Sequence, residues 1–77
     1  MNKTEHLLTC LIEECAEIQQ AAAKALRFGL NDGYPGSETT NAEDIALEIN
    51  DLIAVANCVV EEARQWLADL RSGSHDE

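Results

Sequence analysis

Nearly all helix-breaking residues of this 77-residue chain lie in one short stretch. Residues 29–40, GLNDGYPGSETT, hold three of the four glycines and the only proline. The stretches on either side contain neither residue until Gly73, and Ala, Leu, Glu and Gln, all good helix formers, are frequent in them. Because glycine and proline most often interrupt regular structure, this distribution predicts two long segments joined by a single loop.

Both segments have the apolar spacing of an amphipathic helix, with residues recurring at i, i+3, i+4 and i+7. The apolar positions of the first segment are Leu8, Leu11, Ile12, Cys15, Ile18, Ala22, Ala25 and Leu26. Those of the second are Ile45, Ile49, Leu52, Ile53, Ala56, Val59 and Val60, extended by Trp66, Leu67 and Leu70. The sequence therefore predicts two helices and no strand.

The first helix has a start signal and a stop signal. Asn2 or Thr4 can act as its N-cap, since both side chains accept hydrogen bonds from backbone N–H groups. We expect the helix to end near Phe28, with Gly29 in the left-handed conformation that commonly ends helices.

The second helix is expected to begin at Thr40 or Asn41. Both are favourable N-caps, and Thr40 has capping-box spacing to Glu43. No glycine or proline follows before about Arg71, so we expect one long helix, and the sequence leaves a bend or break near Glu61 open.

These patterns predict an all-α fold built as a long helical hairpin. Residues 1–72 form a single domain in this prediction, and residues 73–77 form a flexible tail. Two amphipathic helices cannot enclose a core alone, because each leaves one side uncovered. We therefore expect the hairpin to assemble into a four-helix core, in a dimer or in a tetramer made of such dimers.

The chain is strongly acidic, with fifteen Asp and Glu residues against five Lys and Arg residues and a net charge of −10. This charge argues against binding to nucleic acid or to anionic membranes. No segment approaches the ~20 apolar residues of a membrane span, and the N-terminal residues lack the apolar run of a signal peptide. The three cysteines, which cannot all pair, are expected to be reduced thiols of a cytoplasmic protein.

Two acidic pairs lie inside the apolar segments: Glu14 with Glu17 in LIEECAEIQQ, and Glu48 with Asp51 in LEINDL. Residues three apart share a helix face, where like charges destabilise the helix. Antiparallel packing of the two helices can bring the four carboxylates into one cleft, where they offer the oxygen ligands that Mg²⁺ takes. The alternative is a solvated acidic face, which is the usual role of a single such pair.

The order E-x-x-E, a spacer of about thirty residues and then E-x-x-D resembles the MazG-like members of the all-α nucleoside triphosphate pyrophosphohydrolase superfamily. Here it reads EECAE followed by EINDL. The KALRFG junction after the first helix is similar to that of the small, phage-borne members. The resemblance covers roughly residues 7–60, and the chain is shorter than the larger family members.

The resemblance implies a Mg²⁺-dependent hydrolase, in which Mn²⁺ can substitute, that cleaves an NTP or dNTP to a monophosphate and pyrophosphate. Carried onto this sequence, the metal ligands and catalytic residues are Glu14, Glu17, Glu48 and Asp51. Bound metal would neutralise the triphosphate and lower the pKa of the attacking water. One carboxylate would take the proton of this water, and the sequence leaves open which one. The expected location is the cytoplasm of a bacterium or of a phage-infected cell.

Substrate contacts are expected from the end of the first helix and the start of the second. Lys24 and Arg27 are placed to bind phosphate, and the alternative for both is a solvated cation favoured by the helix dipole. Asn41 is predicted to contact sugar or base, with an N-cap role as the alternative. A second chain is expected to close the nucleobase pocket. Three further roles are left open, those of Glu13, Phe28 and Asn57.

Two other classes of function are compatible with the composition. One is an acidic helical binding or inhibitor protein that engages a basic partner without catalysis. The other is a relative that binds nucleotides without cleaving them. The position of the acidic residues separates the classes, because a binding module spreads its charges over an outer face and a hydrolase gathers them in a cleft.

Overall fold

The computed structural model describes residues 1–33 and 35–73. Two helices account for most of them: α1, Lys3–Phe28, and α2, Asn41–Ser72, which run antiparallel and are joined by the loop 29–40. The predicted all-α hairpin is confirmed, and no strand occurs in the described ranges. The molecule is a rod of 53 × 19 × 19 Å. Of the predicted flexible tail, residues 74–77 lie outside the described part of the chain.

Local side chains determine where α1 begins and ends. Asn2 is the N-cap: its Oδ1 accepts from the Glu5 N–H at 2.8 Å, while Glu5 Oε1 accepts from the Asn2 N–H at 2.9 Å. This reciprocal pair is a complete capping box. At the other end Gly29 has φ +101° and ψ 152°, so the predicted left-handed conformation is wrong. Its extended ψ directs the Gly29 carbonyl towards Asn41 Nδ2, which donates to it at 2.9 Å.

The N-cap of α2 is Thr40, whose Oγ1 accepts from the Glu43 N–H at 3.2 Å. Only this half of the predicted capping box forms, because the Glu43 carboxylate accepts from the Thr40 hydroxyl. Asn41 is the first helical residue, so the alternative N-cap role for Asn41 is wrong. The helix continues without a break past Glu61 and ends at Gly73, which is left-handed with φ +73°.

The loop packs onto the first turn of α2 and satisfies its free N–H groups. The Asn41 N–H donates to the Asp32 carbonyl at 2.6 Å, and the Ala42 N–H donates to the Leu30 carbonyl at 3.0 Å. Gly33 is required for this approach, since a Cβ there would collide with the carbonyl oxygen of Thr39. The loop therefore has a defined conformation on both sides of residue 34.

The helices meet along a narrow seam that steps alternately three and four residues, which is the period of a coiled coil. These seam residues are the less exposed ones. On α1 they are Thr4, Leu7, Leu11, Glu14, Ile18, Ala21 and Ala25, and on α2 Asn41, Ile45, Glu48, Leu52, Val55, Val59, Glu62 and Trp66. At the open end of the hairpin, Trp66 Nε1 donates to Thr4 Oγ1 at 3.2 Å and Lys3 Nζ lies 2.6 Å from Glu62 Oε1.

Several positions predicted to be buried face solvent instead. Ile12 and Leu26 are 70% and 90% exposed, and among the described apolar residues only Ala21 is buried. The reason is geometric: the apolar stripe of each helix is wider than the seam that one partner helix can cover. What remains is an outer apolar face, formed by Leu8, Ile12 and Leu26 of α1 with Ile49, Ile53, Val60, Leu67 and Leu70 of α2. If the seam residues are heptad positions a and d, all eight residues of this face fall at positions b and e. In an antiparallel pair these positions of the two helices lie on the same side of the hairpin.

Candidate functional site

Two glutamates occupy positions in the helix seam. Glu14 on α1 and Glu48 on α2 are half-buried there, and Glu17 lies beside them, one turn along α1 and more exposed. Each of the three offers a carboxylate oxygen within 4.8 Å of the oxygens of the other two. The 3.5-residue seam passes directly through Glu14 and Glu48, whereas Glu17 lies next to it.

One oxygen of each seam glutamate has no hydrogen-bond partner. Oε2 of Glu14 and Oε2 of Glu48 are buried and accept from no donor in the described part of the chain. A buried carboxylate oxygen without a donor is costly, since it has lost its water and gained nothing in return. A proton, a cation or a bound water would satisfy these two atoms where they lie.

Two members of the cluster, Glu14 and Glu48, retain protons more strongly than isolated glutamates do. Burial raises the pKa of Glu14, and the negative charges of Glu17, Asp51 and Glu13 raise it further. For Glu48, hydrogen bonding to Glu17 is the main cause that raises the pKa, followed by burial and by repulsion from its acidic neighbours. In the absence of a cation, Glu14 and Glu48 therefore keep their protons to a higher pH than an ordinary glutamate does.

Asp51, the fourth predicted ligand, lies at the margin of the cluster. It is exposed and does not belong to the set of three whose oxygens converge. Its charge still acts on both Glu14 and Glu48. Glu13 is also exposed and acts on Glu14 in the same way. The structure thus brings three of the four predicted acids together and leaves Asp51 within electrostatic reach.

A cleft runs from the acidic cluster towards the loop. Its first part is a cavity of about 260 Å³, with Ala21 at its base, Glu17 and Glu48 at one end, and Lys24 and Asp44 further along. Lys24 therefore shares a cleft with two of the carboxylates. It is the one basic residue lining this cavity among those described.

The second part of the cleft is a larger cavity of about 500 Å³ under the loop. Phe28 and Pro35 supply apolar surface, and Lys24, Asn41 and Asp44 line both cavities. Arg27 does not line either one; its guanidinium lies 5.5 Å from the centroid of the Phe28 ring.

The polar groups of this second cavity are mostly acceptors. Asn41 Nδ2 already donates to the Gly29 carbonyl, and Asp44 Oδ1 accepts from Thr39 Oγ1 at 2.7 Å. Asp44 had no predicted role in the site. The available signal was its position one turn before Glu48, on the same face of α2.

No family model, curated protein or solved structure matches this chain. The resemblance to MazG-like proteins therefore stays a prediction. Within the described residues, neither helix is long and apolar enough to cross a membrane.

Proposed function

We propose that this protein is a Mg²⁺-dependent nucleoside triphosphate pyrophosphohydrolase that converts an NTP or dNTP to a monophosphate and pyrophosphate. The observation that carries the proposal is the pair of buried, unpartnered Oε2 atoms of Glu14 and Glu48, beside the carboxylate of Glu17. An all-oxygen, anionic donor set suits Mg²⁺ or Mn²⁺ better than softer metals. The residues therefore fit the ion that the sequence motif implies.

Glu14, Glu17 and Glu48 hold the ion in this proposal, with Asp51 reaching it from the margin. When bound there, Mg²⁺ would supply charge neutralisation of the triphosphate and a water of lowered pKa. A carboxylate that is not fully committed to the ion would accept the proton of the attacking water.

The cleft beyond the cluster accommodates the rest of the nucleotide. Lys24 lies between the two cavities, where its ammonium group can bind phosphate oxygens. The larger cavity, about 500 Å³, has the size of a small-molecule site and combines an apolar wall with a few polar groups. Phe28 offers a ring for base stacking, and the Asp44 carboxylate accepts hydrogen bonds from amino or hydroxyl groups of the base or sugar. Asn41 keeps its side-chain oxygen for the same purpose, and Arg27 binds phosphate from the rim.

The active form is a dimer with a four-helix core, and pairs of dimers can form a tetramer. The hairpin exposes 5932 Å², whereas a compact monomer of this mass exposes about 4600 Å². The outer apolar face supplies the surface for a second copy. A stable interface buries about 1,200–2,000 Å² in total. A second chain placed there gives both helices the partner that the hairpin lacks.

An assay over a panel of NTPs and dNTPs tests the reaction, with pyrophosphate measured separately from orthophosphate. We expect Mg²⁺-dependent release of pyrophosphate in equal amount to the monophosphate. Glu48→Gln should lower kcat about 100-fold or more, since an amide cannot replace a charged metal ligand. The matched control is Glu61→Gln, an exposed glutamate further along α2, which should keep full activity.

Absence of pyrophosphate from every nucleotide, with the protein folded and Mg²⁺ saturating, would overturn the proposal. The acidic binding or inhibitor protein, or a nucleotide-binding relative without catalysis, would then replace it. Isothermal titration with a non-hydrolysable nucleotide separates these two, because only the relative binds it.

A further inference from the structure

A second pair of side chains able to ligate a metal lies on α1, outside the carboxylate cluster. His6 and Cys10 are one helical turn apart, and Cys10 Sγ and His6 Nε2 are in hydrogen-bond contact at 3.7 Å. His6 is exposed and Cys10 is half-buried, so both atoms are accessible to a small ion. Neither residue has a part in the proposed hydrolysis.

The separation of the two donor atoms matches the geometry of a metal site. Zinc binds thiolate sulfur at about 2.3 Å and imidazole nitrogen at about 2.0–2.1 Å, in tetrahedral sites. At a tetrahedral angle these bond lengths place sulfur and nitrogen about 3.6 Å apart. The observed 3.7 Å needs almost no rearrangement to reach this value. Two ligands at i and i+4 on one helix face are also the spacing of zinc-binding helices.

The donor chemistry separates this pair from the carboxylates. Thiolate and imidazole select borderline and soft ions, while carboxylate oxygens select hard ones. Cys10 precedes Glu14 by one turn, about 6 Å along the helix axis, so the two sites need not share a ligand. A net charge of −10 favours cations at both sites.

The other two thiols of the chain lack such a partner. Cys15 and Cys58 are free and exposed, and Cys10 alone among the three contacts an imidazole nitrogen in the described residues. They offer matched controls, because replacing either removes a thiol without touching the His6–Cys10 pair.

We propose that His6 and Cys10 bind a divalent transition-metal ion such as Zn²⁺ or Co²⁺, at a site separate from the carboxylate cluster. Cys10 binds as the thiolate through Sγ, releasing its proton to solvent, and neutral His6 binds through Nε2. Water fills the remaining positions. The site does not depend on the proposed hydrolase activity.

Co²⁺ titration of the reduced full-length protein tests the proposal, because thiolate–Co²⁺ bonds absorb in the near ultraviolet. We expect a charge-transfer band that saturates at one Co²⁺ per chain and disappears when Zn²⁺ is added. Cys10→Ser should abolish the band, and His6→Ala should weaken the affinity for Co²⁺ at least tenfold. Cys15→Ser and Cys58→Ser should leave both band and affinity unchanged.

Three results would overturn the site: no band with folded wild-type protein, a band that persists in Cys10→Ser, or equal loss in Cys15→Ser or Cys58→Ser. Millimolar Mg²⁺ and the Glu48→Gln substitution should both leave the band intact. Loss of the band in either case would mean that the ion also needs the carboxylate cluster, which would overturn a separate site. Circular dichroism of each variant checks that α1 is still formed.

Discussion

At the scale of single residues, the two seam glutamates are the unusual feature of this protein. Glu14 and Glu48 stand where a coiled coil ordinarily has leucine or isoleucine. A chain with so little buried apolar surface loses packing at both positions and also buries two unpartnered oxygens. Sites that bind ligands often lower stability in this way, because function and packing place different demands on the same positions.

Neutralising part of the cluster should stabilise the metal-free protein. The double substitution Glu48→Gln with Asp51→Asn removes two negative charges facing Glu14 and Glu17 while it keeps side-chain shape. We expect a higher Tm in EDTA than that of wild type, and loss of the rise in Tm that Mg²⁺ gives wild type. Glu61→Gln is the control and should change neither quantity. An unchanged Tm in EDTA together with no Mg²⁺ dependence in wild type would contradict the shared cluster.

The raised pKa values of Glu14 and Glu48 predict how stability depends on pH. A carboxyl group with a folded pKa above the ordinary 4.5 binds its proton more tightly in the folded state than in the unfolded chain. Its stabilising contribution is complete below pH 4.5 and is lost as pH rises through the folded pKa. Acidic neighbours from both helices, Glu13, Glu17 and Asp51, act in the same direction.

Thermal melts of the metal-free protein should therefore show a Tm that falls as pH rises above 4.5. Saturating Mg²⁺ should flatten or reverse this slope, because the ion binds the deprotonated cluster. Glu48→Gln should make the metal-free slope shallower. A Tm that rises with pH in EDTA would mean that the cluster does not control it.

At the scale of elements, the loop and the first turn of α2 form one unit. Asn41, the buried polar residue among those described, donates its amide to the Gly29 carbonyl, while its backbone N–H donates to Asp32. These bonds hold the loop over the larger cavity. The shape of the proposed base pocket therefore depends on backbone contacts more than on the side chains of the loop.

Gly33→Ala tests this dependence. The added methyl group would overlap the Thr39 carbonyl, so the loop must shift, at a cost of about 1–3 kcal/mol. We expect a lower Tm and a raised KM for nucleotide, with kcat less affected because the carboxylates lie on the helices. Asn31→Ala, an exposed position in the same loop, is the control for both measurements. Equal KM values for Gly33→Ala and wild type would mean that the loop conformation does not affect substrate binding.

At the scale of the whole molecule, the hairpin is a rod with one uncovered side. The outer apolar face lies on the side of the seam away from Glu17 and Lys24, so a second copy can cover it and leave the cleft open. A four-helix core formed there would give Ile12 and Leu26 the burial that the sequence pattern predicts for them. The sites would then lie on the outer sides of the dimer, and in this arrangement the second copy would not close the nucleobase pocket as the sequence predicts.

A charge on the outer apolar face should dissociate the dimer. Ile53 and Leu47 are similarly exposed, at 51% and 55%, but only Ile53 belongs to that face. We expect Ile53→Lys to shift the mass measured by light scattering from dimer or tetramer to monomer, and Leu47→Lys to leave it unchanged. A wild-type monomer, or equal effects of the two substitutions, would contradict the assembly.

Most of the secondary structure followed from the sequence by itself, because its causes are local. The confinement of glycine and proline to one loop and the caps at Asn2 and Thr40 define two helices, and α1 ends at Phe28 as predicted. The pairing of Glu14 and Glu17 on one face likewise needs only helical periodicity. Among the helix ends, Gly29 is the exception, because its predicted left-handed conformation is wrong. Its carbonyl accepts from Asn41, a side chain twelve residues further along the chain.

Tertiary structure decided which part of each wide apolar stripe turned inward. The stripe of α1 admits more than one choice of seam, and only contact with α2 selected the one through Leu7, Leu11 and Ile18. That choice half-buried Glu14 and Glu48, exposed Ile12 and Leu26, and joined Lys24 with Asp44 in one cleft. A single helix has no information about its partner's register, so these outcomes arise only when the two helices pack.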